Sequence, residues 1–371
     1  MRATQAVVHL DRFLKNIALI QEKVGACNHD CRLLAPVKAD AYGHGAVPLA
    51  RAALEAGCFY LAVATLAEGA ELRGAGIDAP ILLLSLPLPE ELDEVVSLSL
   101  IPLVGDIEFA ELLNHAVKGR RLPVHLKIDM GMGRLGCRPE DATALARFVD
   151  SCPYLETVGT AAHLEVSDSL KPDDVDYTLR QIEKFQNVVE SIKESGIHPG
   201  IVHTAASGGI LLHTEAYFDM VRPGILLYGY TPSPALNSFP VEPVMELKSN
   251  VVFIKSMKKG ESVSYGRTWT TAEDTVVGTI PVGYGDGLPR LLSNRYSVLI
   301  RGKRYPLVGR ICMDQSMVDL GKDSDIERWE EVTVFGAKPA LSAEDVAEIV
   351  GTIPYEITCN INKRVPRVYL P

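Results

Sequence analysis

Residues 33–45, LLAPVKADAYGHG, open on an apolar run and close on a glycine-rich turn. Leu33-Leu34-Ala35-Pro36-Val37 reads as a buried strand, and Lys38 stands at its end. Ala39, Asp40, Ala41, Gly43 and Gly45 then mark a loop leading into a helix. An ammonium is costly to bury, so a lysine in this position either reaches solvent or has chemistry to do. Desolvation lowers a lysine's pKa and makes the neutral amine available as a nucleophile or base. Tyr42, His44 and the two glycines would shape an anion site beside such an amine.

The strand-then-helix alternation extends in both directions. Upstream, Phe13, Ile17, Ile20 and Val24 recur at helical spacing, with Asp11 placed as the cap. Downstream, a helix over 45–57 closes on Gly57. Strands are predicted at 59–64, 80–84, 101–104, 123–129, 155–164, 201–205 and 219–228. Helices are predicted at 66–76, 89–98, 106–118, 139–150 and 172–195, with a short helical segment after residue 205. Counted from Leu33, this makes eight strand-plus-helix units, about the length of a (β/α)8 TIM-like barrel. The alternation implies parallel strands joined by right-handed crossovers. Gly131-Met132-Gly133-Arg134-Leu135-Gly136 has the letters of a dinucleotide loop. It lies too deep in the series and lacks an acidic ribose partner, so it reads as a tight turn presenting Arg134.

Residues 231–243, TPSPALNSFPVEP, carry four prolines and mark a connection. Beyond it, short strands are expected at 244–257, 275–281, 297–300, 305–308, 317–319 and 332–335, with one helix at 343–350. The expected fold is therefore α/β, a barrel followed by a mainly β C-terminal domain.

Composition narrows the function. A length of 371 residues suits two domains, and 47% hydrophobic with 23% charged residues suits a soluble protein. A net charge of −10 without any basic tract argues against nucleic acid or a membrane surface as partner. The N-terminus lacks an apolar signal core and no apolar run spans a bilayer, so the cytoplasm is expected. Seven scattered cysteines are expected to be reduced thiols. Cys27-Asn28-His29-Asp30-Cys31 is half a metal site with no second half, so no metal is expected.

In a barrel the reactive groups sit where strands end. Those ends carry Lys38, Arg134, His163, Ser207 with Gly208-Gly209, and Arg222 before Pro223-Gly224. No pair of carboxylates stands out, which disfavours glycoside hydrolysis. No HxH or HExxH is present, which disfavours a metal hydrolase. A strand-end lysine beside phosphate-cradling loops suits an imine-forming cofactor such as pyridoxal phosphate.

With these residues in view, the chain resembles the alanine racemases, enzymes that use pyridoxal 5'-phosphate. The likeness runs through APVKADAYGHG (35–45), KIDMGMGRLG (127–136), VRPGI (221–225), VSYGR (263–267), VGYGDG (282–287), VGRICMDQ (308–315) and RVPRVY (364–369). Both expected domains are covered, in the family's order. The resemblance implies a division into an N-terminal strand (1–8) belonging to the β domain, a cofactor barrel (9–238) and a β domain (239–371).

The resemblance also implies roles. Lys38 holds the cofactor as an imine and then acts as the base on one face of the substrate's Cα. Tyr265 is the opposite base, supplied by the partner subunit of a head-to-tail homodimer. Two bases on opposite faces are what inversion at carbon requires. An unperturbed phenol titrates near ~10, so Tyr265 needs cationic neighbours, which a His163–Arg222 relay and Arg134 would provide. Arg222 would face the pyridine nitrogen and keep its proton, leaving the ring a weaker electron sink. Arg134 would bind the substrate carboxylate, and Lys127 would carry a carbamate that orients it. Tyr42, Ser207, Gly224, Ile225 and Tyr355 would contact the phosphate. Met313 would touch the substrate, and Tyr284 and Asp314 would line its entry channel. The implied reaction interconverts L- and D-alanine and supplies D-alanine for peptidoglycan.

Two departures stand out. Ala206-Ser207 replaces the family's common Asn-Ser, and Leu164-Glu165-Val166-Ser167-Asp168 replaces a Phe-Ala-type continuation after His163. Neither alters a base. A broad-specificity or serine racemase on the same scaffold is an alternative that pocket volume would decide. A fold-type III amino-acid decarboxylase is disfavoured by Arg222, since those enzymes place a carboxylate at the pyridine nitrogen. A non-enzymatic pyridoxal-phosphate carrier is disfavoured by the β domain and Tyr265.

Overall fold

Apolar runs bounded by turns become strands, and the amphipathic stretches between them become helices that cover the outside. The computed structural model describes residues 2–371. Strand β1 (Gln5–His9) leads into helix Leu10–Gly25. Eight strands follow: β2 (Arg32–Pro36), β3 (Tyr60–Val63), β4 (Ile81–Leu83), β5 (Ile101–Val104), β6 (Leu122–Lys127), β7 (Leu155–Ala161), β8 (Ile201–His203) and β9 (Met220–Val221). They pair in parallel in the order β8-β7-β6-β5-β4-β3-β2-β9. The remaining seam, between β8 and β9, is bridged without a ladder. Asp219 N donates to Val202 O at 3.0 Å, and Val202 N donates to the Asp219 carboxylate at 2.7 Å. The result is the near-closed eight-stranded barrel expected from the alternation.

Several local expectations change. Asp11 lies in the first turn of helix Leu10–Gly25 and does not cap it; His9 holds the cap position without a side-chain bond. The strand expected over 219–228 shrinks to Met220–Val221. Pro223 has no N–H for a ladder, and Ile225–Tyr228 winds into a 3-10 turn instead. No helix of its own follows this last strand. Helix Leu10–Gly25 packs against the 3-10 turn in its place, with Asn16 Nδ2 donating to Leu227 O at 3.1 Å.

The C-terminal region forms a nine-stranded sheet. It contains β10 (Met245–Asn250), β11 (Phe253–Met257), β14 (Thr275–Ile280), β15 (Ser297–Ile300), β16 (Lys303–Val308), β17 (Ser316–Gly321), β18 (Glu331–Phe335) and β19 (Arg367–Leu370). A small hairpin of β12 (Ser262–Val263) and β13 (Trp269–Thr270) stands apart. The single strand expected at 244–257 is divided, because β10 pairs with β18 and β1 whereas β11 pairs with β14 at the far edge. β1 lies between β10 and β19, so the chain's two ends meet in this sheet. Besides helix Ala343–Val350, a second helix, Pro354–Cys359, opens on a proline, as helices tolerate.

The barrel interior is filled by side chains from alternate strand positions, among them Leu34, Tyr60, Ala62, Leu82, Leu103, Ala161 and Met220. His125 joins them, its ring 5.7 Å from that of Tyr60. Gly159 on β7 makes the space for it, since a Cβ there would lie 2.4 Å from the imidazole. Gly159→Ala is therefore expected to destabilise the fold by about 1–3 kcal/mol, the cost of overpacking a filled interior, as read by urea denaturation.

Candidate active site

The turn after β2 has an unusual backbone. Ala39, Asp40, Ala41 and Tyr42 all lie in the left-handed region, with φ between 51° and 54°. Each such residue costs an L-amino acid roughly 1–2 kcal/mol, so the surroundings must hold them there. Ala39 N donates to Glu68 Oε1 at 2.8 Å, and Ala46 N to Asp40 Oδ1 at 2.8 Å. Helix Pro354–Cys359 presses on the turn from the C-terminal region, and Arg367 Nε donates to Gly43 O at 3.0 Å. The turn sets Lys38 and Tyr42 at the rim of the barrel, where both line a cavity of about 620 Å³.

The floor of the cavity is cationic. Arg222 is buried and donates to Ala162 O and Thr204 O, both at 2.9 Å. It also reaches His203 Nδ1 at 2.6 Å and His163 Nδ1 at 3.3 Å. A guanidinium has only donors, so both histidines accept through Nδ1 and keep their proton on Nε2. His203 Nε2 then donates to His125 Nδ1 at 2.8 Å, which leaves the His125 Nε2–H without a partner. Burial, with the Arg222 charge next, pushes the His163 and His125 imidazoles down to about 3. His203 is also lowered, by burial first and Arg222 second. Arg222 itself falls only to about 10, through burial and the Arg134 charge, and stays protonated near neutrality. The chain is one cation held by neutral histidines.

Two amines share this field. Lys38 is lowered chiefly by burial and then by Arg134. Lys127 is buried, donates to Ile128 O at 2.8 Å, and is lowered to about 8 by burial and then Arg222. Arg134 lines the same cavity from the turn after β6. Asp129 shapes that turn by accepting from Gly131 N and Gly133 N at 3.0 Å.

One wall of the cavity is built of hydroxyls and amides. Ser207 Oγ accepts from Gly224 N at 3.0 Å. Tyr42 stacks on Tyr228, with ring centroids 4.7 Å apart, and faces Tyr355 at 5.8 Å. Tyr42, Ser207, Gly224 and Tyr355 all line the cavity, and so do Lys38, Lys127, Arg134, His163 and Arg222. Ile225 does not; its side chain is fully buried in the core.

The remaining residues singled out in the sequence lie elsewhere. Tyr265 is 68% exposed, in a turn braced by Ser264 Oγ donating to Arg310 O at 2.5 Å. Tyr284, Met313 and Asp314 cluster on the C-terminal region. Arg364 ties the last two together, through Asp314 Oδ1 at 2.9 Å and Met313 O at 3.3 Å, and anchors on the buried Asp286 at 2.8 Å, while Tyr284 N donates to Cys312 O at 3.0 Å. None of these four lines the cavity of its own chain. His125, His203, Glu68 and Tyr228 went unnamed in the sequence. His125 and Lys127 stand two apart on one strand, so alternation across the barrel wall was the signal for the first.

Residues 8–232 match the family model "Alanine racemase, N-terminal domain" and residues 244–369 match "Alanine racemase, C-terminal domain". Alanine racemase of Treponema denticola is 49% identical, over 100% of this chain and 99% of that protein. Alanine racemase of Cutibacterium acnes is 42% identical, over 99% and 98%. Among solved structures, alanine racemase of Clostridium difficile 630 superposes with a TM-score of 0.93 at 35% identity, covering 100% of this chain and 96% of that one. A crystal structure of alanine racemase from Bacillus anthracis with bound L-Ala-P gives 0.92 at 35%, over 100% and 96%.

Lys127 yields a pH prediction. Between about pH 8 and the ordinary lysine value of 10.5, the unfolded chain keeps a proton that the folded chain has released. Unfolding there takes up a proton, so stability should rise with pH across that window. The rise is on the order of 3 kcal/mol. Denaturant titrations from pH 7 to 10.5 in carbon-dioxide-free buffer, which keeps the amine free, should show it in the native chain and lose most of it in Lys127→Met.

Proposed function

The chain belongs to the alanine racemase family, a family of isomerases, and on that premise we propose a pyridoxal-phosphate-dependent, two-base racemisation of alanine in a shared-site homodimer. The observation carrying this reading is the cavity itself, a partly buried amine with a lowered pKa among guanidinium groups and hydroxyls.

The residues present fit the cofactor. Its phosphate dianion needs amide and hydroxyl donors, and Ser207, Tyr42, Tyr355 and Gly224 N–H supply them. A Cβ on Gly224 would lie 3.1 Å from the Tyr42 hydroxyl and fill that cradle, so the glycine keeps it open. Ile225 would contribute through its backbone only. Arg222 would meet the pyridine nitrogen as a donor, since it stays protonated. Lys38 would hold the aldehyde carbon. When bound, the cofactor draws electrons from the substrate's Cα and makes its C–H bond acidic.

The protein's own groups do the rest. Arg134 binds the substrate carboxylate, and its charge also helps keep Lys38 neutral enough to act as a base. Lys38 Nζ takes or returns the proton on one face of Cα. The partner subunit's Tyr265 serves the opposite face, and Arg222, through His163, supplies the field that a phenolate needs. Tyr284, with Met313 and Asp314 held by Arg364, borders the entrance from the same subunit as that tyrosine. Lys127, lowered to about 8, has the neutral amine that reacts with carbon dioxide, and the resulting carbamate would orient Arg134. We place the enzyme in the cytoplasm, supplying D-alanine for peptidoglycan. No helix among the described residues is long and apolar enough to cross a membrane.

Loss of optical rotation of L-alanine with purified, cofactor-loaded protein tests the reaction, and parallel assays on serine test its breadth. Tyr265→Phe should keep the cofactor's absorbance while kcat falls about 10²–10⁴-fold. Lys38→Ala should lose the absorbance. Mixing these two inactive variants should restore activity, because a hybrid dimer contains one site with both bases. No recovery after subunit exchange would remove the shared site.

A further inference from the structure

Arg134 reaches the cavity from a glycine-rich turn, and its guanidinium has no hydrogen-bond partner among the described residues. The backbone beneath it therefore sets where the guanidinium starts from, whatever a carbamate on Lys127 adds. Asp129 holds that backbone from inside the turn. On the other side, three polar side chains converge on Gly131. Gln181 Nε2, on helix Pro172–Glu194, donates to Met130 O at 2.8 Å and to Glu165 Oε2 at 2.8 Å. The Tyr177 hydroxyl, one helical turn before Gln181, stands beside the Glu165 carboxylate, which raises its pKa. A Cβ on Gly131 would lie 2.5 Å from the Tyr177 hydroxyl, 2.7 Å from Gln181 Nε2 and 2.8 Å from Glu165 Oε1. The three groups are seated directly on the turn, and Glu165 accepts from Gln181 with the Tyr177 hydroxyl beside it.

We propose that Glu165 is a positioning residue, the anchor of a clamp that fixes the Arg134 turn and so sets the affinity for the substrate's carboxylate. Gln181 is buried and its amide oxygen has no partner, so the amide is committed to donating through nitrogen. A carboxylate accepts from that amide and keeps a second oxygen toward the phenol. Leucine 164, Glu165, Ser167 and Asp168 line the cavity beside the turn, which puts the clamp in the wall that the substrate passes.

The inference rests on the reading that Arg134 binds the substrate carboxylate, and the experiment separates the two. Steady-state kinetics on alanine would use the cofactor-loaded full-length protein as native chain, E165A, E165Q, R134K and the E165A/R134K double variant, with thermal melting alongside. E165A should raise KM about tenfold with kcat changed less than about threefold, the signature of lost uniform binding. E165Q keeps the volume and one acceptor oxygen, and should raise KM less. R134K should raise KM alone, and adding E165A should raise it no further, because the clamp acts through the arginine. Multiplied effects in the double variant, or an unchanged KM in both Glu165 variants while R134K is impaired, would overturn the clamp alone. An unchanged KM in R134K would overturn the Arg134 assignment and the clamp with it. Should E165A fail to accumulate, E165Q carries the same comparison.

Discussion

A guanidinium buried at the floor of the barrel governs the rest of the site. Arg222 cannot release its proton near neutrality, so everything around it must accept hydrogen bonds or tolerate a positive field. Two carbonyl oxygens and two imidazoles accept from it. Because His203 accepts, its other nitrogen must donate, and His125 is drawn into the chain behind it. Gly159 exists as a glycine to give that third ring room. One buried charge thus reaches through two histidines to the packing of β7.

Burial explains the amines first, and the neighbouring guanidinium charges second. Lys38 and Lys127 lie in a cavity already occupied by Arg222 and Arg134, and burial and like charge both favour the neutral form. A cavity of that sign is complementary to anions, and the chemistry we propose brings two of them, a phosphate and a carboxylate. The hydroxyl wall of Ser207, Tyr42 and Tyr355 lies beside the cations, not in place of them. The proposed catalysis by a neutral amine and the proposed binding of anionic groups are two consequences of one electrostatic arrangement.

Precision at Lys38 comes from a distance. Four consecutive left-handed residues could not persist as an isolated turn. Glu68 holds one end of them and Asp40 caps the following helix, while the C-terminal segment packs helix Pro354–Cys359 over the turn and brings Tyr355 to the cavity. The exposed Tyr265, by contrast, belongs to a turn of the same C-terminal region that does not meet its own chain's cavity. A phenol in water is a poor base, and the role proposed for Tyr265 requires the cationic surroundings of a neighbouring subunit.

Much of this could be read from residues in order. Periodicity located the barrel strands to within a few residues, because a buried parallel strand must be a short apolar run whatever surrounds it. The strand-end rule found Lys38, Arg134, His163, Ser207 and Arg222, since a closed barrel leaves its loops as the place for polar groups. Sequence by itself therefore determined the fold class and most of the cavity lining. It could not give the short β9, the backbone of residues 39–42, or the embrace of β1 by β10 and β19, because each depends on partners more than a hundred residues away or on strain that neighbours support. Nor could it show that His125 and His203 form one chain with Arg222, or that Glu165, Tyr177 and Gln181 meet on Gly131. Those contacts are decided only when separate strands and a helix close on one another, and hydrogen-bond donors at fixed positions then leave each acceptor no other choice.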